Sequence, residues 1–167
     1  MSDTARGAQP PCLPTLGRRG LLLSVLALAA CGGGKGAASK KAQRGLYPNE
    51  TPYLRSRINY WSAHYKVPTS LVQQVVLRES SHRPQARNGP YYGLMQILPQ
   101  TARTMGYRGP DAGLLDADTN LRYGVKYLRG AYLVADGNPD KAVGWYARGY
   151  YYEAKRKGLL KATGLRG

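Results

Sequence analysis

The chain has 167 residues, room for one ordinary domain, because single cores occupy about 100–200 residues. Its formal charge of +16, from 25 Lys and Arg against 9 Asp and Glu, favours a polyanionic partner: nucleic acid, anionic lipid, or a cell wall carrying carboxylates. Two cysteines, Cys12 and Cys31, and two histidines, His64 and His82, show no zinc-ligand spacing, so neither a structural metal nor a cofactor is expected.

In chain order, Arg18 and Arg19 precede an apolar run from Leu21 to Ala30, of signal-peptide length and too short to span a bilayer as a helix. The run ends in Leu28-Ala29-Ala30-Cys31, which resembles the bacterial lipobox, where small residues fit the peptidase and the cysteine receives the lipid. Residues 1–30 therefore read as a lipoprotein signal peptide, with an ordinary secretory signal as the alternative. Its removal takes away three arginines and one aspartate, lowering the charge from +16 to +14, and leaves Cys31 as the one thiol, so no internal disulfide can form. Export argues against a nucleic-acid partner. Residues 31–45, a lipidated Cys31 followed by small and basic residues, read as a flexible tether to a membrane. Gly32, where aspartate would favour inner-membrane retention, points to a periplasmic, lipid-anchored protein of the outer membrane.

Residues 46–167 read as the globular domain. Asn49 to Pro52 carries helix-start chemistry, and Leu54, Ile58, Trp61 and Tyr65 then recur at helical spacing until Pro68. A second helix starts at Thr69 or Ser70 and runs to about Ser80, burying Leu71, Val72, Val75 and Val76. Residues 83–93, with Pro84, Gly89, Pro90 and Gly93, read as an irregular connection. A short helix follows Pro99 and stops at Gly106. Asp118 to Ala135 places Leu121, Val125, Leu128 and Tyr132 on one face, capped by Asp116 or Asp118 and ended near Gly137. Pro139 opens a last helical region, interrupted at Gly149 and continuing to Lys157 and Gly158. No alternating run suggests a strand, so the fold class is all-α and compact.

The chain has only three glutamates, Glu50, Glu79 and Glu153, and one of them stands at a telling position. Glu79 follows Val76, Val75 and Val72 by three, four and seven residues, so a helix puts its carboxyl at the end of the apolar face. Burial there would favour the protonated form that a general acid needs. The structural alternative is that Glu79 turns outward to pair with Arg78, Arg83 or another of the abundant bases.

The residues around it narrow the choice. Glu79-Ser80 with Pro84 and Ala86, then Gly93-Leu94-Met95-Gln96-Ile97 with Pro99, Thr101 and Ala102, resembles the first half of the soluble lytic transglycosylase catalytic domain. Asp116-Ala117-Asp118-Thr119-Asn120-Leu121, Gly124 and Tyr127-Leu128 continue the likeness, and Ala142-Val143, Tyr146 and Gly149 complete it in the family order. The resemblance implies a goose-type lysozyme-like helical fold with a cleft, and a peptidoglycan lyase. Such an enzyme cleaves the β-1,4 bond between N-acetylmuramic acid and N-acetylglucosamine in peptidoglycan glycan strands and leaves a 1,6-anhydro sugar. Carried over by position, it makes Glu79 catalytic. Ser80, Met95, Gln96 and Tyr146 become substrate-binding residues, with Tyr146 facing the acid.

The chain departs from the family pattern in three places. Pro90-Tyr91-Tyr92 replaces small residues before the Gly-Leu-Met-Gln turn, Ala117 replaces a common helix-starting proline, and Ala147-Arg148 replaces asparagine-alanine, so that Arg148 adds positive charge to the cleft. Among 14 tyrosines, Tyr91, Tyr92 and Tyr150 are cleft candidates, while Asp111, Asp116 and Asp118 are turn and cap residues. The competing functions are a hydrolytic muramidase, which adds water, and a non-catalytic peptidoglycan-binding lipoprotein.

Overall fold

A computed structural model describes residues 45–166. The signal peptide read at 1–30, the lipidation site Cys31 and the tether up to residue 44 lie outside the described residues.

Among the described residues, six α-helices carry the fold. Helix α1, Pro52–His64, starts as expected: Thr51 accepts the Leu54 N–H at 3.1 Å and proline occupies the first turn. Helix α2, Thr69–Ser80, keeps the expected bounds. Helix α3 is Pro99–Thr104, α4 is Ala117–Val134, α5 is Pro139–Arg148 and α6 is Tyr151–Arg156. Of the two candidate caps of α4, Asp116 performs the task, accepting the Thr119 N–H at 2.8 Å. Asp118 instead ties α4 to α1 by pairing with Arg57 and accepting Trp61 Nε1 at 2.8 Å. Asp111 begins a 3₁₀ turn, Asp111–Leu115, and pairs with Arg103.

The connection at 83–93 is more ordered than its composition suggests. Arg87–Asn88 (β1) and Tyr91–Tyr92 (β2) pair antiparallel around Gly89, whose φ of +55° supplies the left-handed residue that a tight hairpin needs. Two-residue strands are too short to show an alternating pattern, and for that reason the sequence gives no strand signal there.

Helix α4 is central, packing against α1, α3, α5 and the 3₁₀ turn. Leu54, Ile58, Leu71, Val72, Val75, Val76, Leu121, Val125 and Leu128 form the main core with Ala142 and Tyr146. Each large aliphatic side chain so buried contributes about 1.5–3 kcal/mol. A smaller cluster, Tyr92, Ile97, Ala102, Tyr107 and Leu114, sits beneath the hairpin.

Between the two clusters lies Asn120, fully buried on α4. Its Nδ2 donates to Tyr92 O at 2.8 Å and Leu114 O at 2.7 Å, and its Oδ1 accepts Met95 N–H at 2.9 Å. Three stretches of backbone are thereby tied together by one side chain. Asn120→Ala takes these partners from the Met95 N–H and the Leu114 carbonyl, each costing about 1–3 kcal/mol, while the Tyr92 carbonyl keeps the Ile97 N–H at 3.1 Å. Urea denaturation should therefore show a loss of at least about 2 kcal/mol, and a loss within the range of an ordinary surface substitution would remove Asn120 from this role.

Candidate active site

Glu79 lies in the last turn of α2, which ends because Ser81 and His82 both take left-handed backbone, φ +50° and +61°. Val72, Val75 and Val76 are fully buried, but the Glu79 carboxyl reaches past them and is 22% exposed. Its Oε1 accepts Arg78 Nε at 3.1 Å and Nη2 at 2.8 Å, so the outward pairing foreseen as an alternative does occur. It does not take the residue out of the groove: among the described residues both contacts fall on one oxygen, and Glu79 lines two adjoining cavities.

The first, of about 510 Å³, is bounded by Glu79, Arg83, Gln85, Arg87, Asn88 and Gln96. The second, of about 360 Å³, is bounded by Arg78, Glu79, Asn88, Tyr91, Gln96 and Tyr146. A third, also about 360 Å³, shares Tyr91, Gln96 and Tyr146 with the second and continues to Tyr127, Arg148 and Gly149. Gln96 borders all three, so they join into one groove with arginines along it.

The turn that presents Gln96 is built for close approach. Gly93 has φ +71°, and a Cβ there would lie 2.3 Å from Asn120 Nδ2 and 2.5 Å from Leu114 O, so no other residue fits. Met95 is fully buried, its sulfur lodged where Gly124 lacks a side chain; a Cβ on Gly124 would come within 2.6 Å of that sulfur. Gln96 itself holds φ +46°, and its Nε2 donates to Gly93 O at 2.9 Å and Ala86 O at 3.1 Å. It thus braces the loop while its side chain borders the groove.

Tyr146 is almost wholly buried on α5, and its hydroxyl donates to Met95 O at 2.7 Å. Burial pushes its phenol well above the ordinary range, and the Glu79 carboxylate acts in the same direction. Tyr146 is therefore a neutral donor that seats the Met95-Gln96 turn within electrostatic reach of Glu79. Ser80 is buried, with its hydroxyl donating to Val76 O at 3.2 Å in its own helix, and it does not border the three cavities. Of the aromatic cleft candidates, Tyr91 borders the groove. Tyr92 does not, since successive strand residues face opposite ways and it turns into the smaller cluster; Tyr150 packs under Gly130 with its hydroxyl on Tyr127 O at 2.8 Å and borders only an adjoining cavity past Gly149. Among the described residues no group of three or more His, Cys, Asp and Glu gathers as a metal site, and no helix is long and apolar enough to cross a membrane.

The transglycosylase SLT domain family model matches residues 56–163, which includes every residue of this groove. The chain belongs to that family. The structure is also similar to that of a 70-kDa soluble lytic transglycosylase solved in complex with bulgecin A, with a TM-score of 0.54 and 25% sequence identity. That match covers 65% of this chain and 18% of the other, so the SLT domain corresponds to a small part of the larger protein.

Asn120 and Asn88 are site residues without an assigned role in the sequence reading. Asn120 had a signal: it is a polar residue four and eight positions before Gly124 and Leu128, on the apolar stripe of α4. Asn88 carried none, since exposed polar residues are ordinary.

The Tyr146 geometry gives a test. Tyr146→Phe keeps the ring but leaves the buried Met95 carbonyl unpaired, a loss of about 1–3 kcal/mol in stability. The domain should stay folded, with peptidoglycan turnover reduced at least about tenfold, the value of a 1.4 kcal/mol rise in the barrier. Unchanged turnover on intact cell-wall sacculi would make Tyr146 a packing residue only.

Proposed function

We propose that this SLT domain is a lytic transglycosylase that cleaves the β-1,4 bond between N-acetylmuramic acid and N-acetylglucosamine in peptidoglycan and forms a 1,6-anhydro-muramyl end. One observation carries this reading: among the described residues lining the joined groove, Glu79 is the single carboxylate. Glycosidases that use two carboxyl groups place them about 5–9.5 Å apart, and this groove supports no such pair.

One carboxyl group suffices if the nucleophile belongs to the substrate. Protonated Glu79 gives its proton to the departing O4 of N-acetylglucosamine as the C1–O4 bond breaks. The resulting carboxylate takes the proton of the muramyl 6-hydroxyl as O6 bonds to C1. No water enters, and Glu79 ends protonated as it began. The attacking hydroxyl sits on the same sugar, so its effective concentration is high without a protein nucleophile. Gln96 and the turn seated by Tyr146 line the groove beside the acid. Arg78 holds the resting carboxylate through one oxygen and is itself half exposed, so the pair opens at little cost as substrate enters.

Glu79→Gln preserves shape but cannot carry a proton, and product release from purified sacculi should fall by about 10²–10⁴-fold with folding intact. Mass spectrometry of the wild-type digest should show muropeptides one water lighter than hydrolysis products. Hydrated ends would make the enzyme a muramidase, and binding without products would make it a wall-binding protein.

The same reading sets the mature chain in the periplasm, anchored through a lipid on Cys31 to the outer membrane, which the lipobox-like Leu28-Ala29-Ala30-Cys31 supports. Labelled palmitate should enter the wild-type chain and not Cys31→Ala. Equal labelling of both would discard the anchor.

A further inference from the structure

Shortly after Glu79 in the chain stands a side chain that packing alone does not explain. His82 is fully buried, and its Nδ1 has no hydrogen-bond partner among the described residues. Gln73 on α2 gives its Nε2 to Glu50 at 2.8 Å and so turns its Oε1 to His82 Nε2 at 2.7 Å, which puts the ring proton on Nε2 and leaves Nδ1 a bare acceptor. Tyr47 covers the ring in a near-parallel stack at 5.0 Å. A carbon ring would fill this space and stack as well, without a buried nitrogen left unpaired. The backbone at His82 also joins two walls of the groove. Glu79 precedes the left-handed pair Ser81 and His82, and Arg83, Gln85 and Ala86, which line a cavity together with Glu79, follow it. Ala86 O in turn accepts Gly93 N–H at 2.8 Å and Gln96 Nε2 at 3.1 Å. The angle at which α2 turns into this stretch therefore sets the place of Glu79 relative to Gln96.

We propose that uncharged His82 is a positioning residue for Glu79, and that a proton arriving on its Nδ1 releases the turn and takes the acid out of register with Gln96. The proposal rests on the reading of Glu79 as the acid. A proton on Nδ1 makes a buried donor without an acceptor and a buried charge in one step. Burial is the largest influence on the ring and lowers its basicity; of the charged groups that face it, Glu50 from the segment before α1 favours the proton and Arg55 from α1 opposes it. The folded chain then binds fewer protons than the unfolded one just below the ordinary histidine range, so the hold on the turn weakens there as pH falls. Glu50, at about 2, stays ionised through this window and is not the cause. Nor does Glu79 supply an acid limb, because a group that begins and ends the cycle protonated loses activity only as pH rises.

The test is the pH profile of kcat/KM on purified sacculi for the mature wild-type chain and His82→Phe, each scaled to its own plateau so that a general loss of activity does not count. Below the ordinary histidine range the wild type should lose about tenfold per pH unit, as one added proton requires. His82→Phe keeps a ring against Tyr47 but cannot titrate, and its profile should stay level there. A wild-type profile that is level on the acid side, or an acid limb equally steep in both proteins, would overturn the proposal. If the wild type is inactive at every pH, the catalytic reading fails by itself, and NMR then decides the role of His82, as it does if His82→Phe does not fold. In the His64→Gln chain, which has no other histidine, the backbone amide signals of Glu79, Ser80 and Arg83 should shift with the same midpoint as the His82 ring. Amides that stay in place, or follow a different midpoint, overturn it.

Discussion

The side-chain amide of Asn120 is the constraint on which the groove depends. A buried amide is costly unless its hydrogen bonds are made, and Asn120 makes three, each to the backbone of a different segment. Those segments, strand β2, the 3₁₀ turn and the Met95 turn, have few regular partners of their own. Their positions relative to α4 are consequently set by one residue. Gly93 follows from this, because Asn120 and Leu114 occupy the space where its side chain would be. Gly124 follows too, because the turn pressed onto α4 must put the Met95 side chain somewhere. Tyr146 closes the arrangement from α5 through the Met95 carbonyl, and Gln96 is left at the surface beside Glu79.

The opposite wall is held by a second buried polar network. Glu50 accepts both Arg55 nitrogens, the Gln73 amide at 2.8 Å and the Tyr47 N–H at 3.0 Å. Burial pushes its carboxyl up, but the hydrogen bonds from Arg55, Gln73 and Tyr47 outweigh that and hold it at about 2. Gln73 turns its nitrogen to Glu50 and so its oxygen to His82 Nε2, at 2.7 Å, which makes Nε2 the protonated ring nitrogen. Burial lowers the basicity of His82, whose Nδ1 has no hydrogen-bond partner among the described residues. Tyr47 stacks on that ring at 5.0 Å, and Asn49 Nδ2 donates to Ser81 O at 3.0 Å. The strained residues that end α2 just after Glu79 are thus clamped by the segment that enters the domain first. A rigid backbone on both sides of a partly exposed carboxyl would allow the proposed acid to meet substrate without the surrounding loops having to order themselves.

Excess positive charge is placed with the same economy. Arg78, Arg83 and Arg87 border the Glu79 side of the groove and Arg148 the far end. A polymer with carboxylates meets a favourable potential along this path. The scarcity of acidic residues also limits competing ion pairs, so Glu79 is neutralised locally by Arg78 instead of by a buried partner that substrate could not displace.

The sequence by itself determined the helices and the carboxylate that we propose as the acid. Apolar spacing located α1, α2 and α4 to within a residue or two, since each buries one stripe against a common core, and Glu79 was conspicuous because glutamate is rare and this one ends such a stripe. The order of the motifs indicated the family. What tertiary structure alone decided was the use of side chains whose chemistry permits several roles. Asn120 could have been an exposed helix residue, Asp118 a cap, and Tyr92 or Tyr150 a cleft wall. Each was settled by which backbone groups lacked partners and by where glycine left space, at Gly93, Gly124 and Gly130. Those are relations between segments distant in the chain, and neither periodicity nor local propensity carries them. The hairpin is the same case on a smaller scale: its register depends on Gly89 and on contacts made by Tyr92 and Ile97, not on a pattern that two residues can display.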